Sequence, residues 1–149
     1  MLGGFVPPAD LVCDGFVLAP LGPEHNERDY AAWSSSIEHI HSTPGFGLSH
    51  PDPWPYPMTL AENLGDLQEH QEDFEAREGF TYTVLDPADG DVIGCVYIYP
   101  PQGELHDAAV RSWVRKTHAA LDIPLWRAVS EWLASDWPFA VVAYAPRMT

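Results

Sequence analysis

The segment from Ala109 to Tyr144 constrains the fold of this chain more than any other part of it. An alternating run is followed by a loop, an apolar helical period and a short apolar run, which predicts strand, loop, helix and strand. Two strands joined through a helix normally lie parallel in one sheet and are linked by a right-handed crossover. The segment therefore predicts an α/β protein with a parallel strand pair.

Basic residues gather around the first turn of this segment. The formal net charge is −15, and four of the seven Lys and Arg residues lie here, namely Arg111, Arg115, Lys116 and Arg127. Cations at the point where a strand runs into a helix are what an anionic ligand requires. Alternatively, Arg127 pairs with Glu131 four residues along the same helix. A phosphate-bearing ligand is the first hypothesis.

Length and composition limit the class of protein. A chain of 149 residues with 46% hydrophobic residues can form one domain with its own core. No apolar run approaches the roughly 20 residues of a membrane span, and the N-terminus lacks the pattern of a secretory signal. Cys13 and Cys95 have no metal or redox spacing and are expected to be reduced. We expect a single cytoplasmic domain, residues 1–149, with no membrane partner.

The charge balance also indicates the kind of ligand. Acidic residues number 22 against seven basic ones, so the field of the protein opposes binding to a phosphate backbone. The same field attracts a cationic small molecule such as an amine. Nucleic acid is therefore not an expected partner, whereas a small amine is.

The N-terminal third predicts one strand and one helix. Gly and Pro residues make 1–15 a loose arm, and residues 16–21 predict a short strand. Helical spacing of apolar residues predicts a helix over about 26–41. Residues 43–58 contain five prolines and cannot form a regular helix or central strand, so we expect an ordered loop or lid.

The middle of the chain predicts a helix and a hairpin. A capping box starts at Thr59, and an apolar stripe of Leu60, Leu64, Leu67 and Phe74 predicts a helix ending near Gly79. Its seven carboxylates between 62 and 78 are interpreted as a solvated face. Residues 80–85 and 92–99 flank turn chemistry and predict an antiparallel hairpin whose second strand is covered on both sides.

The last three elements complete the predicted sheet. A strand over about 108–115 presents Arg111, Trp113 and Arg115 on one face. Asp122 is expected to be the N-cap of the following helix. Residues 139–144 predict a final strand.

This order of elements resembles the GNAT acetyltransferase family from about Phe16 to Tyr144. Residues 91–99 resemble the central strand of that family, and residues 110–115 resemble its cofactor-binding strand. The resemblance implies a layered α/β fold with a mixed central sheet and helices on both faces. It also implies acetyl-CoA as co-substrate and direct transfer of an acetyl group to a small amine in a ternary complex.

The resemblance further implies where the cofactor binds. Backbone amides near Val114 would hold the thioester and pantetheine, and the following loop would hold the pyrophosphate. That loop normally reads Q/R-x-x-G-x-G/A, whereas residues 115–120 keep the leading Arg and the final small residue and place His118 at the first Gly. The implied cofactor-binding residues are Trp113, Val114, Arg115, Lys116 and His118.

Acetyl transfer needs a base for the amine and an acid for the departing thiolate. Candidate bases are Glu104 and His106 before the cofactor-like strand. Glu38 and His39, near the end of the first helix, come next and would lie on the substrate side. The alternative is that these four are ordinary surface residues.

Aromatic residues supply the other candidates. Tyr97 and Tyr144 are candidate acids, while Tyr99 and Trp54 are candidate substrate contacts. The alternative for the tyrosines is core packing, and for the loop around Trp54 a rigid cap on the core. His39 and His41 are two residues apart on a helix and lack a third ligand at a convincing spacing, so no metal is expected.

Two functions therefore stay open. The first is an acyl-CoA-dependent N-acetyltransferase of the GNAT type. The second is a degenerate GNAT-like fold that has lost acetyl-CoA and binds a small molecule or a protein partner, as the Asp122 cap and His118 favour. The family usually continues beyond the last predicted strand, so a homodimer partner or the loop 43–58 would complete the acceptor side.

Overall fold

Six strands form one sheet whose spatial order follows the order of the chain. The structure is a computed structural model that describes residues 2–49, 53–101 and 103–147. The strands are β1 (Leu11–Cys13), β2 (Phe16–Pro20), β3 (Phe80–Leu85), β4 (Val92–Tyr99), β5 (Ala108–Val114) and β6 (Val142–Tyr144). The helices are α1 (Asn26–Ser34), α2 (Ile37–His41), α3 (Leu60–Glu75) and α4 (Asp122–Asp136).

The sheet is mixed, as the sequence predicts. Strands β1 to β5 pair in antiparallel fashion, and β5 pairs with β6 in parallel through α4. The β5–β6 pairing ends at Val110 and Tyr144, although β5 continues to Val114. Residues 111–114 of β5 therefore have no partner in β6, because β6 itself ends at Tyr144. The final strand begins at Val142 rather than at the expected residue 139.

Helices cover both faces of the sheet, which confirms the predicted layered α/β architecture. One hydrophobic cluster joins sheet residues to α4 through residues that include Leu125, Val129 and Trp132. The other joins the opposite face to α1 and α3 through Trp33 and Leu67. Among the described residues, no helix combines the length and apolar character that crossing a membrane requires.

The single helix predicted over 26–41 is two helices. Ser36 interrupts it with φ −134°, and its hydroxyl accepts a hydrogen bond from the backbone N–H of Lys116 at 3.0 Å. The Ser35 hydroxyl donates to the carbonyl of Ala32. Hydroxyl side chains that bond to backbone groups compete with helix continuation. The break therefore depends on a contact 80 residues away, which local periodicity does not reveal.

Helix α3 begins as predicted but buries a different stripe. Thr59 and Glu62 form the reciprocal capping box, with Oγ1 of Thr59 accepting from the Glu62 N–H at 3.1 Å. Leu67 is buried as expected, whereas Leu60 is exposed and Asn63 is buried in its place. The buried face is therefore partly polar, and it faces the pocket described below.

The N-terminal arm, expected to be loose, packs against the domain in its described part. Residues 11–13 form the edge strand β1. The Tyr82 hydroxyl donates to the carbonyl of Pro8 at 2.7 Å, and Arg77 donates to the carbonyl of Phe5 at 3.1 Å. The Phe5 ring lies 5.2 Å from the Trp137 ring. Long-range contacts of this kind fix a segment whose Gly and Pro content alone indicates freedom.

Candidate active site

A pocket of about 910 Å³ lies beside the parallel pair of β5 and β6. Ala109, Val110 and Arg111 of β5 line it, together with Ala143, Tyr144 and Ala145 at the end of β6. Helices α1 and α3, strand β4 and the loop after α2 supply further walls. A concave site at the ends of strands is a preferred position for ligands in α/β sheets.

Aromatic rings form much of the pocket wall. Trp54 projects from the proline-rich loop, with its ring centroid 5.6 Å from that of Trp33, 6.0 Å from Trp113 and 6.3 Å from Tyr97. His41 holds this loop in place, because its Nε2 lies 2.7 Å from the carbonyl oxygen of Pro55. The described part of 43–58 is thus an ordered loop that brings an aromatic ring to the pocket. His50, Pro51 and Asp52 lie outside the described residues.

Carboxylates outnumber cations along the described lining. Asp29, Asp66 and Glu69 line the pocket together with the cation Arg111. The Arg111 guanidinium lies 4.7 Å from the centroid of the Phe46 ring and 5.7 Å from that of Tyr97. The pocket therefore favours a ligand that carries a positive charge.

Asp29 is a buried carboxyl that the sequence analysis missed. Its Oδ2 accepts a hydrogen bond from Nδ2 of Asn63 at 3.1 Å. Burial raises the pKa of Asp29 to about 6, the hydrogen bond from Asn63 opposes the rise, and Asp66 adds to it. A signal was available, because Asp29 lies four residues before Trp33 and thus on the face of α1 that is buried.

His70 is a second pocket residue that the sequence analysis missed. Its Nδ1 lies 2.9 Å from the Tyr99 hydroxyl and 2.9 Å from Oγ1 of Thr81. The Tyr99 hydroxyl donates to Oδ2 of Asp73 at 2.9 Å. Burial lowers the pKa of His70, against the opposite effects of Asp73 and then Glu69. His70 follows the buried Leu67 by three residues, which places both on one face of α3.

The structure brings five of the predicted site residues together in the pocket: Trp54, Tyr97, Tyr99, His106 and Tyr144. The hydroxyl of Tyr97 points towards the core. There it accepts a hydrogen bond from Nε1 of Trp113 at 2.9 Å and is hydrogen-bonded to the Cys95 thiol. The Tyr144 hydroxyl is hydrogen-bonded to the Ser112 hydroxyl, and burial raises the pKa of Tyr144 to about 12. Tyr144 is therefore protonated at neutral pH.

Three of the candidate bases and substrate contacts lie outside this pocket. Glu104 is exposed in the bend before β5, and Glu38 is exposed on α2. His39, also on α2, does not line the pocket either. The reason for the two α2 residues is geometric, since Ile40 is the residue that α2 turns into the core. The structure therefore does not bring Glu104, Glu38 and His39 together with the other candidates.

The basic cluster is dispersed in three dimensions. Arg111 faces the pocket, whereas Arg115 lies 3.4 Å from Asp91 and donates to the carbonyl of Val92 at 3.2 Å. Lys116 and Arg127 are exposed. The four cations therefore do not converge on one anion site.

Several backbone N–H groups of the loop after β5 already have hydrogen-bond partners. Residues Lys116–Leu121 form 3₁₀ turns that are interrupted at His118, whose φ is −120°. The Lys116 N–H donates to Ser36, and the His118 N–H donates to the carbonyl of Arg115 at 2.9 Å. The Asp122 N–H donates to the carbonyl of Ala119. Asp122 is the first residue of α4 and not its N-cap, which is Leu121.

Arg147 fills the space beside β5 beyond the last β5–β6 pair. Its side chain is 2% exposed, and its Nε lies 2.8 Å from Oδ2 of Asp122. Its Nη2 donates to the carbonyl of Ser112 at 2.8 Å, and its Nη1 donates to the carbonyl of Ala145 at 2.9 Å. The free edge of β5 is thereby paired with a guanidinium of the chain itself.

Solved structures with this architecture are acetyltransferases. A ribosomal-protein-S5-alanine acetyltransferase from Vibrio fischeri matches with a TM-score of 0.64 at 13% identity, over 85% of this chain and 67% of that one. RimL, a ribosomal L7/L12 α-N-protein acetyltransferase in complex with coenzyme A, matches with a TM-score of 0.61 at 11% identity, over 82% of this chain and 66% of that one. The microcin C7 self-immunity acetyltransferase MccE, in complex with acetyl-CoA and AMP, matches with a TM-score of 0.59 at 11% identity, over 83% of this chain and 66% of that one.

This chain has the GNAT fold. The resemblance seen in the sequence is thereby confirmed at the level of the fold. The chain spans about two thirds of the length of these structures. No protein-family sequence model and no curated protein sequence matches it.

The GNAT fold implies acetyl-CoA, so the residues near β5 must be tested against that ligand. Trp113 and Val114 are fully buried, and the amides of Lys116 and His118 already have partners. Arg147 occupies the β5 edge, and the Asp122 carboxylate lies at the start of α4, where an anion would be repelled. These residues do not fit acetyl-CoA while Arg147 holds this position.

Proposed function

We propose that this protein is an N-acyltransferase that uses an acyl-CoA and accepts an amine in the pocket beside α3. The observation that carries the proposal is the position of that pocket. It lies beside the end of the parallel β5–β6 pair, and residues of both strands line it. The GNAT fold supports the proposal, since its neighbours are acetyltransferases and two of them are in complex with acetyl-CoA or coenzyme A.

The pocket lining supports a cationic acceptor. Asp29, Asp66 and Glu69 supply negative charge, and the rings of Trp54 and Tyr97 supply faces on which an ammonium group binds favourably. Tyr144, at the end of β6, keeps the proton on its hydroxyl. It is the candidate donor of a proton to the departing thiolate. We propose a small primary amine as acceptor and a cytoplasmic location.

A peptide N-terminus is a further acceptor to test. RimL is a ribosomal L7/L12 α-N-protein acetyltransferase, whereas MccE is in complex with the nucleotide AMP. A suitable panel of acceptors thus contains small primary amines, an aminoacyl nucleotide analogue and short peptides with a free α-amino group.

The direct test is binding and turnover. Acetyl-CoA is titrated calorimetrically into the wild type and into Arg147→Ala, and the release of free CoA thiol is followed with each acceptor. We expect acetyl-CoA to bind the variant more tightly, because the wild type must first displace the guanidinium from β5. Absence of heat and of thiol release in both proteins contradicts the proposal.

The Arg147 network favours a second candidate function. The Arg147 guanidinium already pairs with the Ser112 carbonyl and the Asp122 carboxylate. It therefore occupies the polar groups on the β5 edge that a ligand would otherwise bind. In this alternative, the GNAT fold binds a small molecule in the pocket without acyl-CoA. Binding of a cationic amine with no binding of acetyl-CoA, in either the wild type or Arg147→Ala, supports it.

A further inference from the structure

The hydrogen-bond partners of His70 bear on which of its nitrogens carries the proton. The Tyr99 hydroxyl donates its one proton to the carboxylate of Asp73 at 2.9 Å. The Tyr99 oxygen is then an acceptor towards His70, whose Nδ1 lies 2.9 Å away. A hydrogen on Nδ1 satisfies this oxygen, can also be shared with Oγ1 of Thr81, and leaves a lone pair on Nε2.

The lone pair lies on the edge of the ring away from Tyr99 and Thr81. His70 lines the pocket, and its Nδ1 edge is directed to Tyr99 and to Thr81 of β3. Nε2 lies on the opposite edge of the imidazole, and no hydrogen bond among the described residues involves it. The ring itself is held between Tyr97 and Tyr99, with centroids 5.7 and 6.1 Å away.

The surroundings keep this imidazole neutral. On its own helix, Asp73 and Glu69 raise the pKa of His70, while Arg111 from β5 lowers it. Tyr97 and Tyr99 from β4 and Thr81 from β3 are uncharged, because burial raises the pKa of both tyrosines. Burial is the largest effect and lowers the pKa of His70 below its usual value. Neutral imidazole is the form that a base requires.

We propose that His70 is the catalytic base of this site and that Tyr99 and Asp73 are positioning residues that fix its tautomer. The proposal rests on the proposed transferase function. In the step, one N–H bond of the bound ammonium group breaks and an Nε2–H bond forms. The nitrogen keeps the electron pair of the broken bond and becomes a neutral amine, and the imidazole becomes an imidazolium. The new positive charge is stabilised by Asp73 through the Tyr99 hydroxyl, and by Glu69.

The tautomer can be measured without any turnover. Nitrogen-15 NMR of the imidazole groups distinguishes protonated from unprotonated ring nitrogens, and His70→Gln identifies the His70 signals among the seven histidines. We expect Nδ1–H with unprotonated Nε2 at pH 7. In Tyr99→Phe we expect a shift towards Nε2–H, which is the usual preference in solution. Tyr82→Phe, which loses a hydroxyl bond to Pro8 away from the pocket, should leave the signals unchanged.

Kinetics test the catalytic role. We expect His70→Gln to lower kcat by about 100-fold or more with little change in KM, because general bases typically contribute 10²–10⁴-fold. Tyr99→Phe should lower kcat by about 10-fold, again at constant KM. The acid limb of kcat/KM, expected below pH 6.5, should disappear in His70→Gln. His25→Gln, at a histidine that does not line the pocket, is the matched control and should behave as the wild type.

The outcomes separate the two proposals. An Nε2–H tautomer or an imidazolium at pH 7 overturns the base assignment whether or not the protein is active. Turnover that survives in His70→Gln overturns the base assignment alone. A wild type with the expected tautomer but no turnover with any acceptor removes the proposed function, and the base role with it.

Discussion

Arg147 and Asp122 join the segment after β6 to the first turn of α4, with 2.8 Å between Nε and Oδ2. The same guanidinium reaches the Ser112 carbonyl on β5. One side chain therefore connects three segments beside the part of β5 that has no partner in β6. In this structure the guanidinium occupies that edge.

Arg147→Ala is expected to lower the free energy of unfolding by about 1–3 kcal/mol, because a buried carbonyl and a partly buried carboxylate lose their donor. Urea unfolding measures the change. Asp122→Asn should cost less in the Arg147→Ala background than in the wild type, since its partner is already absent. Costs that simply add in the double variant would show that the pair contributes no coupling.

The raised pKa of Asp29 predicts that the stability of the folded protein falls as the pH rises. Its pKa is about 6 in the folded protein and 3.8 in its usual state, so between these values the folded protein binds more protons than the unfolded chain. Stability is therefore fully present below about pH 4 and falls as pH rises through about 6. Asp29→Asn keeps the acceptor for Asn63 and should raise the free energy of unfolding at pH 7.5 by up to about 3 kcal/mol. At pH 4 it should change little.

Thermal unfolding at several pH values checks this expectation, with the exposed Asp10→Asn as control. An equal gain at pH 4 and pH 7.5 would mean that the charge of Asp29 is not its cause. If the pocket binds a cationic amine, Asp29→Asn should also weaken that binding above pH 6. A carboxylate retained at a cost in stability is consistent with a binding role.

The elements that the sequence predicts correctly are those whose signals are local. The capping box at Thr59 and Glu62 spans three residues, and the turn between β3 and β4 is coded by neighbouring Asp, Pro and Gly residues. The crossover from β5 to β6 follows from a chiral rule that needs only the order of elements. None of these depends on a distant partner.

Two features that sequence reasoning missed depend on distant partners. The break at Ser36 needs the Lys116 N–H, and the burial of Arg147 needs Ser112 and Asp122. His70 differs from these, because it shares a helical face with Leu67 and so carried a usable local signal. The sequence analysis assigned the apolar stripe of this helix to the core and its carboxylates to a solvated face, and it left His70 without a role although His70 lines the pocket.

The position of Trp54 predicts how much the proline-rich loop contributes to the binding of a cationic amine. Its ring contacts Trp33, Trp113 and Tyr97 from the edge of the pocket. Trp54→Ala should weaken binding of a cationic amine by about 10-fold, in line with roughly 1–2 kcal/mol for a ring that binds a cation out of water. Trp54→Phe keeps an aromatic face and should lose about half of that free energy. Calorimetry with one amine against the three proteins measures the series, and equal affinity throughout would place the ligand away from the loop.

Gly79 tests whether the position of the Tyr99 ring controls His70. A Cβ added at Gly79 would lie 2.1 Å from the Tyr99 ring, so Gly79→Ala must displace that ring. We expect a loss of about 1–3 kcal/mol in the free energy of unfolding, as for other overpacked sites, together with the same change in His70 tautomer as in Tyr99→Phe.

Gly65→Ala is the matched control, because position 65 lies inside α3 and its added Cβ meets nothing within 4 Å. That variant should be stabilised by about 0.5–1 kcal/mol through helix propensity alone, with an unchanged His70 signal. An unaltered tautomer in Gly79→Ala, despite the displaced ring, would show that Thr81 rather than Tyr99 orients the imidazole.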